Sequence, residues 1–260
     1  MTTSWADLVR PPVDMTGDRV LVLGATGGIG RATVAACLGA NAHVTLLDLR
    51  DPEEDVRQLR ALVGEDRVAG AALDNGDKAQ VARMIDELGP FTAVADCSGI
   101  YVDGDLLNDD PDSWETNFDR IMRINVLGPL NVLRAVLPEM QRCGRGRVAL
   151  IGSLGARNGG SNAAVNPAYV ASKGAVQSLV RSLSRSMAPH GIVVNAVAPG
   201  MIETPMMAAA SHTGATQRPT IPLGRTGAPE DIGRPMAFLC SPAASFMTGM
   251  ILDVNGGLYA

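Results

Sequence analysis

Short apolar runs alternate along this chain with longer stretches of helical periodicity. The apolar runs fall at 19–24, 42–47, 67–73, 92–97, 147–151, 192–198 and 250–254. Several are apolar at consecutive rather than alternate positions, the pattern of strands covered on both faces. Helical patterns occupy 28–39, 53–63, 77–88, 113–143, 167–188 and 229–240. Sustained strand–helix alternation predicts a three-layer, doubly wound α/β fold around a seven-stranded parallel sheet. No internal repeat or Ser/Gly-rich linker divides the chain, so residues 1–260 read as one domain with an N-terminal extension at 1–16. The best loops are 103–112 and the Asn- and Gly-rich 155–166. In such sheets ligands bind beyond the carboxyl ends of the strands, and candidate chemistry belongs there.

Composition narrows the function classes. The formal charge is −5 and no long basic run occurs, which argues against electrostatic binding to nucleic acid or to anionic lipid. The four cysteines (Cys37, Cys97, Cys143 and Cys240) are scattered, so neither a metal site nor a disulfide framework is expected. The amino terminus, MTTSWADLVRPP, lacks the apolar stretch of a signal peptide. The uncharged run 235–252 is interrupted by Ser241, Pro242, Ser245, Thr248 and Gly249, and reads as helix end, turn and strand, not as a membrane span. A cytoplasmic location is expected. Of the 22 basic residues only two, Lys78 and Lys173, are lysine. In so arginine-rich a chain, each lysine is a candidate for a specific role.

The first strand runs into Gly24-Ala25-Thr26-Gly27-Gly28-Ile29-Gly30 and straight on into a helix. Glycines there allow a sharp turn and a close approach to a diphosphate, which the free N–H groups of a helix start favour. A tight structural turn would need the same glycines, so the loop alone is weak evidence. Context strengthens it, because the second strand ends at Asp48, eighteen residues after Gly30. A carboxylate there accepts hydrogen bonds from an adenosine ribose diol and repels a 2′-phosphate, favouring NAD; Arg50 nearby keeps NADP open.

Tyr169 and Lys173 stand four residues apart, on one face of the helix beginning after Pro167. With three Tyr and two Lys in the chain, random placement gives such a pair about 0.02 times. A free phenol has a pKa of about 10, and lowering it by about three pH units takes roughly 4 kcal/mol of preferential phenolate stabilisation. An adjacent ammonium and an oxidised nicotinamide would supply part of that. Asn125 lies within the long pattern 113–143, four residues before Pro129. Proline has no N–H, so the Asn125 carbonyl loses its helical donor and a kink is expected.

On these residues the chain resembles the short-chain dehydrogenase/reductases, in their short single-domain branch with a Rossmann fold, from about Arg19 to Gly257. The resemblance implies that Tyr169 is a general acid/base and that Lys173 lowers its pKa and holds the nicotinamide ribose. It also implies that Ser153 hydrogen-bonds the reacting oxygen and that Asn125 maintains a water-linked proton path. It assigns cofactor contacts to Gly24, Thr26, Gly28, Ile29, Gly30, Asp48, Asp74, Ser98, Gly99, Tyr169, Lys173, Pro199, Gly200, Ile202 and Thr204. A homotetramer is implied too, with helices 113–143 and 167–188 at one interface and the last strand at another.

Three departures stand out. Leu23 replaces the Thr usual before the first loop glycine. Asp96-Cys97-Ser98-Gly99 replaces the family's Asn-Asn-Ala-Gly. Ser153 and Tyr169 are sixteen residues apart, a few more than usual. The Met-rich stretch within 201–220 has the character of an apolar substrate lid. With only nine aromatic residues, an aromatic platform for a flat substrate is not expected. The leading expectation is an NAD-dependent oxidoreductase interconverting a small secondary alcohol and its ketone. An NADPH-dependent 3-oxoacyl thioester reductase and a non-catalytic NAD-binding regulator are the alternatives.

Overall fold

The computed structural model describes residues 13–160, 165–210 and 220–259. Strands β1 (Arg19–Leu23), β2 (His43–Asp48), β3 (Val68–Ala72), β4 (Ala93–Asp96), β5 (Gly146–Ile151), β6 (Ile192–Pro199) and β7 (Ile251–Val254) pair in parallel in the order β3-β2-β1-β4-β5-β6-β7. The helices are α1 (Gly28–Gly39), α2 (Glu53–Val63), α3 (Lys78–Leu88), α4 (Pro111–Met122), α5 (Gly128–Cys143), α6 (Gly155–Asn158), α7 (Pro167–Met187), α8 (Pro205–Ala210) and α9 (Pro229–Cys240). The expected doubly wound α/β Rossmann architecture with seven parallel strands is what forms.

The continuous apolar runs are resolved by the pleat. Val20, Val22, Val44, Leu46, Ala93, Ala95, Ala149 and Ile151 point to one face, packed with residues of α1, α2 and α9. Leu21, Leu23, Leu47, Val94, Val148 and Leu150 point to the other, packed with α3, α5 and α7. The inner strands bury both sets, which is why no polar alternation marks them. Register aligns the strand ends: Leu23 pairs with both Leu47 and Asp96, and Asp96 with Leu150. The carboxyl ends therefore form one rim. Strand order reverses direction between β1 and β4, and that rim position is the crevice where such sheets bind ligands.

Four expectations need correction. The pattern 113–143 is not one kinked helix: α4 and α5 are joined by a π-helical turn at Arg123–Leu127. Pro129 offers no N–H to Asn125, and the chain widens so that Gly128 donates to the carbonyl of Arg123, five residues back. The helix also starts earlier, because Asp110 caps it by accepting the N–H of Ser113 at 3.0 Å. Loop 155–166 contains the helical turn α6; Asn166 ends it by capping α7, accepting the N–H of Ala168 at 2.8 Å, and residues 161–164 lie outside the described residues. Finally, the extension 1–16 is partly built into the core, since Met15 is fully buried and donates its N–H to Ala40; residues 1–12 lie outside the described residues. The lid region 201–220 contains α8, with 211–219 outside the described residues. Among the described residues no helix is long and apolar enough to cross a membrane.

Two glycines of α1 give opposite predictions. A Cβ on Gly30 would lie 1.9 Å from the carbonyl oxygen of Gly24, backbone against backbone. Gly30→Ala should cost about 2 kcal/mol or more and lower Tm by about 4–8 °C. Gly39 has no heavy atom within 4 Å of that position. Gly39→Ala should leave Tm unchanged or raise it by about 2–4 °C. Thermal unfolding followed by circular dichroism reads both.

Candidate active site

The rim is organised first around the β1–α1 turn. Gly24 has φ +65°, and a Cβ there would sit 2.8 Å from the Ser98 backbone, so the turn lies directly against the exit of β4. Gly27 caps α1 without a side-chain hydrogen bond, and the first turn holds no acid. Its N–H groups, including those of Gly28, Ile29 and Gly30, are left for an external anion. Asp48 closes this end. Its Oδ2 accepts the N–H of Thr26 at 2.9 Å and its Oδ1 the N–H of Arg50 at 3.2 Å. Arg50 also reaches the Thr26 carbonyl at 3.3 Å. Arg50 and Arg31 both pair with Asp55, at 3.7 and 2.5 Å.

Neighbouring segments complete the floor. Asp74 accepts the N–H of Gly76 at 2.8 Å and pairs with Arg123 at 3.0 Å. Ser98 donates its hydroxyl to Asp96 at 2.5 Å and accepts from Asn75 Nδ2 at 3.0 Å. A Cβ on Gly28 would touch Thr204 at 3.2 Å, so the turn after β6 folds over the glycine loop. Thr204 Oγ1 meanwhile accepts the N–H of Met207 at the start of α8. Pro199 pairs with Val254, and Gly200 lies against Asn255. The side chain of Ile202 is buried against Gly227 in the turn after β6.

Asn125, Ser153, Tyr169 and Lys173 come together between β4, β5 and α7. The Asn125 side chain is 1% exposed and fully used. Its Oδ1 accepts the N–H of Ile100 at 2.8 Å, while Nδ2 donates to the Ile100 carbonyl and to Ser172 Oγ, both at 3.0 Å. Ser172 in turn donates to the carbonyl of Tyr169 at 2.7 Å. Ser153 lies close enough to the phenol of Tyr169 to favour its ionised form. Its Oγ also accepts the N–H of Gly155 at 3.0 Å, and its carbonyl accepts from Gln177 at 3.0 Å. Lys173 is 3% exposed and donates from Nζ to the carbonyl of Ile151 at 3.1 Å.

The electrostatics correct one expectation. Burial raises the Tyr169 phenol above its ordinary value, opposed by the Ser153 hydroxyl and reinforced by Tyr101. Lys173 Nζ lies 5.9 Å from the ring centroid, without a direct bond to the phenol, and does not reverse the effect of desolvation. Burial also lowers Lys173 itself, to about 8. Lys173 and Tyr169 are brought to one place as the spacing suggested, and it is the Ser153 hydroxyl that favours the ionised phenol.

Several contributors carried no signal in the local sequence. Tyr101 packs edge-on to Tyr169 with ring centroids 5.3 Å apart, so two of the three tyrosines meet here despite the scarcity of aromatics. Asn75, Ser172 and Gln177 are buried polar residues within ordinary helix or loop patterns. Their burial was the missing information.

Residues 24–259 match the family model described as enoyl-(acyl carrier protein) reductase. A 3alpha-hydroxysteroid dehydrogenase of Mediterraneibacter gnavus is 35% identical over 245 residues, covering 91% of this chain and 94% of that protein. A 3-oxoacyl-[acyl-carrier protein] reductase of Brucella melitensis, solved with bound NAD, superposes with a TM-score of 0.83 at 29% identity, covering 100% of this chain and 97% of its own. A structure from Agrobacterium tumefaciens with bound NADP gives a TM-score of 0.83 at 31% identity, covering 95% and 98%. With the sheet order, the glycine turn and the family match in agreement, the chain is an oxidoreductase of the short-chain dehydrogenase/reductase family.

Proposed function

We propose that this enzyme uses NAD to interconvert a small secondary alcohol and its ketone, with Tyr169 as general acid/base. The observation that carries the reading is the convergence of Ser153, Tyr169 and a buried Lys173, held by the Ile151 carbonyl, at the strand rim. The chain's residues fit a dinucleotide: an uncapped helix start for the diphosphate, and a carboxylate at the end of β2 for the ribose. When bound, the oxidised nicotinamide supplies the hydride acceptor and a positive charge.

Each side chain has a distinct task. Ser153, anchored by Gly155 and Gln177, holds the reacting oxygen beside the phenol. Tyr169 takes the alcohol proton in oxidation and returns it in reduction. Lys173 holds the ribose hydroxyls and passes the proton outward. The Asn125 side chain is occupied by Ile100 and Ser172, which leaves its backbone carbonyl, deprived of a donor by Pro129, as the group that holds a water. Burial keeps the phenol protonated in the free enzyme, so the proton leaves only once further positive charge is in place.

NAD is the better fit to the ribose end. Asp48 faces the glycine turn, whereas Arg31 and Arg50 share Asp55. A 2′-phosphate would meet the carboxylate first. Relatives solved with NAD and with NADP both exist, so this choice rests on Asp48. The second reading, a 3-oxoacyl thioester reductase, is favoured by the named activity of the Brucella relative. An acyl carrier would need unpaired basic residues at the rim. Among the described residues there, Arg50, Arg123, Arg157 and Arg225 are each paired with a carboxylate. By family resemblance the working form is a cytoplasmic homotetramer.

Two measurements test this. Tyr169→Phe should lower kcat by about 100-fold or more while NADH binding, followed by fluorescence, stays intact; near-native turnover would sink the mechanism. In a parallel panel of alcohols and ketones, NAD should be preferred over NADP. Asp48→Asn should shift the kcat/KM ratio toward NADP by about tenfold, and an unaltered ratio would remove Asp48 from cofactor choice.

A further inference from the structure

Strand β4 ends in a carboxylic acid where the family carries Asn, and half of that carboxylate has no partner. Asp96 is 2% exposed. Its Oδ1 accepts both the N–H and the hydroxyl of Ser98, at 2.8 and 2.5 Å. Its Oδ2 is buried and lacks a hydrogen-bond partner among the described residues. Two donors on one oxygen favour the ionised form. A buried anion without a compensating cation is costly, so the surroundings must supply one.

The fold brings a cation to the same layer. Asp96 follows Val94 by two residues on β4, and pleat alternation directs both toward the face covered by α3, α5 and α7. Its register partner on β5 is Leu150, and the next β5 residue, Ile151, receives the ammonium of Lys173 from α7. Gly99, three residues after Asp96, lies so near that a Cβ would be 3.1 Å from Lys173 Nζ.

We propose that Asp96 is the buried counter-charge of Lys173, a positioning residue that keeps the ammonium protonated at the carboxyl end of β5. The role given to Lys173 rests on the reading above, but the charge coupling stands independently of turnover. The groups facing Lys173 leave Asp96 as its anion. Burial lowers Lys173 to about 8 and Asp96 acts to raise it. Burial likewise raises Asp96 above the usual carboxylate range, and its Ser98 hydrogen bonds and Lys173 oppose that rise only in part. Cys97, on the opposite face beside Thr33 of α1, is pushed up to about 12 by burial and stays a neutral thiol at working pH. Tyr169, from the same helix, is a neutral phenol. Asn125 and the Ile151 carbonyl contribute only dipoles.

The scarcity of lysine makes the test direct. Protein labelled with [13Cε]-lysine has two resonances to follow, and exposed Lys78 at the start of α3 is the internal reference. In the native enzyme the Lys173 midpoint should lie near 8. Asp96→Asn keeps the shape and an acceptor oxygen for both Ser98 donors, and should move that midpoint down by about one pH unit with Lys78 unmoved. Asp96→Ser removes the same charge and is the second variant should Asn impair folding. A Lys173 midpoint unchanged in a folded variant overturns the proposal. The basic limb of NADH binding should move to lower pH with the resonance. If the resonance moves and binding does not, the counter-charge stands and the assignment of Lys173 to the nucleotide fails.

Discussion

The carboxamide of Asn125 ties together three segments that are distant in sequence. Its oxygen and nitrogen close on the N–H and C=O of Ile100, beyond the end of β4. The same nitrogen reaches Ser172, whose hydroxyl continues to the backbone of Tyr169. A side chain with one acceptor and two donors is thereby saturated at 1% exposure. The loop after β4, the α4–α5 junction and the start of α7 are thereby fastened to one another. Loss of any one of these bonds would leave a buried polar atom unpaired, costing about 1–3 kcal/mol. That cost fixes the geometry on which Ser153, Tyr169 and Lys173 depend.

The clamp works because the backbone around it is distorted. A regular helix would place Asn125 on a different azimuth relative to α7. Pro129 prevents regularity, and the π-helical turn at Arg123–Leu127 rotates the residues that follow. One proline thus does two things: it disrupts the helix beside Asn125 and withholds the N–H that a regular helix would offer the Asn125 carbonyl. On the far side of the rim, Gly24 and Gly99 permit the close approaches that larger residues would block. The site is a meeting of strand ends whose spacing is set by sheet register, and whose side chains are set by a few exceptions to regular structure.

Much of this was legible in the sequence, for identifiable reasons. Strand and helix limits follow from apolar runs punctuated by Gly and Pro, and β2, α1, α2 and α9 end within a residue or so of where the pattern places them. Tyr169 and Lys173 were legible because their types and spacing are improbable by accident, whereas Ser153 was legible only through the family resemblance. The π turn was visible only as a kink, since Pro129 announces the missing bond and not how the chain repairs it. The α6 turn was hidden in a Gly- and Asn-rich segment whose propensities favour loops. The direction of the Tyr169 shift was not legible at all. Spacing shows an ammonium nearby but says nothing of burial, and burial wins.

The same contest explains why lysine, in a chain otherwise furnished with arginine, occupies position 173. An arginine buried there would stay charged whatever its surroundings and would need up to five acceptors in a planar fork. The niche offers the Ile151 carbonyl and space bounded by Gly99. A compact ammonium fits, and its proton affinity responds to its environment, a property arginine lacks. Desolvation lowers its proton affinity, and Asp96 acts against that loss. A carboxylate at the end of β4 opposes the drift from the one direction the sheet leaves available. What reads in the sequence as an irregular motif, Asp96 in place of Asn, becomes in three dimensions the partner that a buried lysine requires.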